Sequence, residues 1–173
     1  WDFTMLKFKH HLEEALKNKI DNNTKGVMHE LLTGYHLNGK KHMTNHPGKN
    51  GESAEQTYNR YSKGIHPDDL KSLHDRAASA AKDIRNKAEQ NGHKIHSVHW
   101  TSKPGDLHSS TGIHASQKED PSDIVVSTSH DGRGQNPIHH GVSLKVSDKS
   151  GKVPSSSLGM NSAGSNARTM YAK

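Results

Sequence analysis

Lys145 stands in the middle of the best strand pattern in the C-terminal half of the chain, HGVSLKVS at 140–147. Side chains alternate across a strand, so Val142, Leu144 and Val146 take one face while Ser143, Lys145 and Ser147 take the other. Alone, this is a half-buried strand with its polar face in water. A second segment changes that reading. Asp123 immediately precedes the apolar run Ile124-Val125-Val126, a strand candidate over 123–129. A carboxylate at the mouth of one strand, beside a lysine on the next, suits metal-assisted hydrolysis. A hard divalent cation takes oxygen ligands, and a lysine can hold the attacking water or neutralise charge developing on a phosphate. Glu30, in VMHELLTGYHL, supplies a further carboxylate at the margin of an apolar helical stripe, from where it can reach a sheet on which the helix packs. Each residue also has a plain alternative: Glu30 as a solvent-facing helix glutamate, Asp123 as a turn residue.

The elements that must position these groups follow from periodicity. Residues 4–20 keep Met5, Leu6, Phe8, Leu12, Ala15, Leu16 and Ile20 near one face at helical spacing. DNNT then interrupts, with Asn23 or Thr24 as the cap of a helix over 25–37 whose stripe is Val27, Met28, Leu31, Leu32 and Tyr35. A short helix is placed at 53–62. HPDD opens a long helix that runs to Gln90, with alanine making up most of its apolar face. Strands are expected over 94–100, 123–129 and 140–147. The turn residues of HDGRGQNP make the last two a hairpin. The loop at 101–122 is long enough to point to function or disorder. After residue 150 comes a polar Ser/Gly/Asn tail.

The order is a helix glutamate, an aspartate opening a strand, and Ser143-Leu144-Lys145 on the next strand. This resembles the PD-(D/E)XK nuclease superfamily, with PSD at 121–123 similar to its P-D element and the S-x-K segment similar to its last motif. Residues 25–37 and 94–160 carry the likeness, and their flavour is similar to phage-encoded members. The resemblance implies an α/β, restriction-endonuclease-like core: a small mixed sheet flanked by helices, one domain over 1–173 with a helical insertion at 40–92. It implies a divalent-metal-dependent DNA endonuclease using Mg²⁺ or Mn²⁺. Glu30 and Asp123 would bind the metal, the Leu144 backbone carbonyl would be a direct ligand, Ser143 a water-holder, and Lys145 the catalytic lysine. The departure is Ser143, where the family usually carries an acid. A binding-only or virion structural relative that kept the fold is therefore the alternative.

Composition bounds both readings. Only 28% of the 173 residues are hydrophobic and 5% aromatic, which implies a thin core and long polar loops. The net charge of +6 favours a polyanionic partner, DNA first. Lys40, Lys41, Arg133, His139 and His140 are the candidate phosphate contacts, with the last two placed just before the third strand. The absence of cysteine excludes disulfides and thiolate metal sites. No apolar run approaches the ~20 residues of a membrane span, so no membrane partner is expected and the location is cytoplasmic or virion-associated. His93, His96 and His99 alternate on a strand and cannot meet at one metal, so the 16 histidines are mainly incidental surface residues. A histidine-rich zinc protein is the third class. The chain begins with Trp1, consistent with part of a larger polypeptide, and a homodimer is left open.

Overall fold

Asp21, in extended conformation, accepts a hydrogen bond from the Thr24 amide and caps α1 (Asn22–Leu37). The helix thus starts three residues before the expected 25, and neither Asn23 nor Thr24 is its cap. The computed structural model describes residues 20–44, 51–101, 106–112 and 122–144, with Met5 and Lys7. The helix expected over 4–20 otherwise lies outside the described residues, as do Lys145 and the tail from 150.

Two more helices follow. α2 (Ala54–Ser62) opens with a capping box in which Ser53 and Gln56 satisfy each other's backbone amides. α3 (Pro67–Gln90) has Pro67 in its first turn, with the His66 ring accepting from the Asp68 amide. It buries Leu73, Ala77, Ala80, Ala81, Ile84 and Ala88. Alanine brings the α3 backbone close to α1, its main partner. A glycine inside α1 has its own cause: a Cβ on Gly34 would collide with the side chain of Met43, from the segment that follows the helix. α1 packs against both α3 and β1, so it buries Met28, Leu31, Leu32 and Leu37 and also His29 and Thr33, beyond the single stripe read from periodicity.

The strands are β1 (Lys94–Trp100), β2 (Ile124–Ser129) and β3 (Ile138–Val142), in the order β1-β2-β3, with the short α4 (Asp106–Thr111) between the first two. The pairings Trp100–Ile124 and Ile124–Val142 fix the register at one end of the sheet. All six residues of the central β2 are buried, and Ile124 and Val126 join Val98, Trp100, Val142 and Leu144 in the core with α1 and α3.

The protein is thus mixed α/β, with the expected β2–β3 hairpin. Two details differ from expectation. The named strands are wholly antiparallel, because each returns directly on its sequence neighbour. Among the described residues, parallel pairing is confined to the bridge Thr44–His99 on the outer side of β1. The third described strand begins at 138, two residues before the expected 140, so His139 joins His140 within it; it ends at Val142, and 145–147 lie outside the described residues.

Candidate acidic site

β1 and β3 grip Asp123 through its main chain. Its amide donates to the Val142 carbonyl at 2.9 Å, and its carbonyl accepts from the Thr101 amide at 3.1 Å. The residue sits just before β2, at the strand's mouth, as its place in the sequence suggested. Its carboxylate Oδ2 accepts the Leu144 amide at 2.6 Å. That bond ties the aspartate to the start of the S-x-K segment, where Ser143 is half-buried and Leu144 is buried. Lys145 itself lies outside the described residues.

Glu30 reaches this point from α1. Residues 28 and 31 hold the helix in the core, and Glu30 projects from the edge of that buried face toward the end of β1. Its Oε2 accepts the indole N–H of Trp100 at 3.0 Å. Burial, and secondarily the negative charge of Asp123, push the Glu30 carboxyl up from 4.5 to about 7, while the Trp100 hydrogen bond opposes the rise. Two acids from distant parts of the chain are therefore within electrostatic reach of each other, with Glu30 largely dehydrated. Such a pair has two uses: to share a proton, or to hold a cation that takes hard oxygen ligands. Among the described residues no three His, Asp or Glu side chains form a metal-holding group, so this centre has two acids.

The proposed phosphate contacts are not gathered here. Arg133 is exposed in the β2–β3 turn, at the end of β2 away from Asp123, where the Asp131 side chain accepts its amide. A six-residue strand puts roughly 20 Å between the two ends. Lys40 and Lys41 are exposed in the turn that follows α1.

The histidines differ most from the surface role expected of them. His139 Nδ1 lies 2.6 Å from the Ser127 hydroxyl, and His140 Nε2 lies 3.0 Å from the Thr128 hydroxyl. Ser127 and Thr128 are buried in the second half of β2, and the imidazoles supply the partners those hydroxyls need. A second set links the helices: His74 lies between His36 (3.2 Å) and the Tyr58 hydroxyl (3.2 Å), joining α3 to α1 and α2. His29 is buried outright and, through that burial, is driven down from 6.5 to about 4.

Trp100 was not singled out by sequence reasoning. The available signal was a tryptophan closing a strand with a polar handle that must be satisfied when buried. No family model matches this chain, and no curated protein or solved structure matches it either. No helix among the described residues is long and apolar enough to cross a membrane.

Proposed function

We propose that this protein is a divalent-metal-dependent phosphodiester hydrolase acting on DNA. One observation carries the reading. α1 holds Glu30 largely buried and within electrostatic reach of Asp123 at the start of β2, so that burial first and that charge second push its carboxyl up to about 7. The Asp123 side chain also holds the main chain that leads into Lys145. The donor set fits Mg²⁺ or Mn²⁺: hard oxygens only, with like charges that a cation relieves. When bound, such an ion neutralises phosphate charge and makes water a stronger acid. Glu30 and Asp123 would hold it, with the Leu144 carbonyl as a main-chain ligand. The Ser143 hydroxyl would hydrogen-bond the attacking water, and the Lys145 ammonium would offset the charge that develops on the phosphate. The excess of positive charge, with Lys40, Lys41 and Arg133 exposed, favours the polyanionic substrate.

Ser143 favours a second reading, a DNA-binding protein without catalysis, because the third acid of the resembling motif is missing there. Nicking of supercoiled plasmid with Mg²⁺ or Mn²⁺, against EDTA, separates the two. Metal-dependent nicking that is lost in folded Asp123→Ala and Lys145→Ala variants supports the hydrolase. Retardation of DNA with no nicking by the parent protein leaves the binding reading.

A further inference from the structure

Trp100 holds the Glu30 carboxylate from the far side of the core. Its backbone is anchored twice at the end of β1: its residue pairs with Ile124, next to Asp123, and its amide donates to the Thr44 carbonyl at 3.3 Å. The residue is only 3% exposed. The indole nitrogen can donate but not accept, so it is satisfied by the carboxylate as acceptor. The bond spans 70 positions of sequence and is 3.0 Å long. Among the described residues, Trp100 is the one donor to Glu30, and it engages Oε2 alone. A phenylalanine would remove the buried N–H, at the cost of the volume of the second indole ring.

We infer that Trp100 is a positioning residue for cation binding: its indole N–H fixes Oε2 of Glu30 and leaves Oε1 to the cation shared with Asp123. Without that bond the Glu30 side chain is free to rotate, and the entropy of fixing it falls on the binding step. The inference rests on the metal-dependent reading of the site. A positioning partner of this kind is worth about a 10–100-fold change in metal affinity.

The test uses the full chain and Mn²⁺ alone, with free ion counted by electron paramagnetic resonance. Trp100→Phe should weaken Mn²⁺ binding about 10–100-fold. Ile84→Val, which trims a buried apolar side chain of α3, should leave it unchanged. A second readout needs no metal. In ¹⁵N-labelled protein the Trp100 indole resonance, assigned by its loss in Trp100→Phe, should shift in Glu30→Gln. That shift supports the hydrogen bond even if Trp100→Phe folds poorly. Parent-like Mn²⁺ affinity in a folded Trp100→Phe, or an indole resonance indifferent to Glu30→Gln, overturns the positioning role alone. A parent protein that binds no Mn²⁺ overturns the metal-dependent reading and this inference with it.

Discussion

Replacing Glu30 by glutamine should stabilise the metal-free protein while removing one of the two proposed cation ligands. The carboxyl is moved from 4.5 to about 7, chiefly by burial and then by Asp123. In the unfolded chain it loses its proton near 4.5, and in the native state it keeps it to about 7. Between those values the native state binds more protons, so stability falls as pH rises through the window. At roughly 1.4 kcal/mol per pH unit, the full displacement is worth about 3 kcal/mol, all of it lost above pH 7. Glutamine does not titrate, and its carbonyl oxygen can still accept the Trp100 N–H. Urea denaturation in EDTA at a series of pH values should give parallel stabilities near pH 4.5. By pH 8 the variant should lead by about 3 kcal/mol, or roughly 6–12 °C in Tm for a chain of this size. Adding Mn²⁺ at pH 8 should close the gap from the parent's side, because a ligand of the native state stabilises it by mass action. Equal pH dependence of the two proteins from pH 5 to 8 would refute the reasoning, since it would mean that Glu30 is neither desolvated nor close to Asp123.

Three further outcomes follow from individual contacts. His29 is held down at about 4 by burial and then by Arg76, so its contribution is intact above pH 6.5 and drains away as pH falls toward 4; His29→Phe should remove about 3 kcal/mol of acid sensitivity, read by denaturation at pH 7 and pH 4. Gly34→Ala should destabilise by about 1–3 kcal/mol through the clash with Met43, and a double-mutant cycle with Met43→Ala should show coupling between the two sites. Asp123→Ala takes away the acceptor of the Leu144 amide; it should abolish nicking and speed hydrogen exchange at Leu144, and unchanged exchange there would show that the carboxylate does not hold the segment.

What could be read in the sequence, and what could not, divides along the range of the interactions. α1 and the β2–β3 hairpin were legible because their patterns are local: apolar residues at helical spacing, and two strand runs around Asp-Gly-Arg-Gly. Asp21 was missed as a cap because DNNT offers four residues of capping type, and the choice among them depends on where the helix packs. β3 was placed two residues late, from 140, although His139 and His140 both lie within it. In the sheet they are partners for Ser127 and Thr128, a fact that exists only across the strand pair. The acids of the site were legible one at a time by position, Asp123 before an apolar run and Glu30 at a stripe's edge. Their mutual influence and the indole between α1 and β1 were not.

The histidines change how this chain's thin core should be understood. With 28% hydrophobic residues it cannot enclose its elements in apolar side chains alone. The central strand shows the consequence: its first half, Ile124-Val125-Val126, is apolar, and its second half, Ser127-Thr128-Ser129, is hydroxylic yet just as buried. Buried hydroxyls must be paired. Neutral imidazole suits the task because it can donate from one nitrogen and accept at the other, and it fills volume as it does so. The same device recurs where Tyr58, His74 and His36 join three helices. Burial lowers the pKa of His36, His74 and His139, which keeps them neutral and able to accept. Acid therefore attacks this fold at its polar joints, whereas alkali attacks it at Glu30, and the two ends of the pH range report on different parts of one structure. If His74→Phe were as acid-sensitive as the parent, the joint between α1 and α3 would owe nothing to imidazole, and the polar-core explanation for the histidine content would fail there.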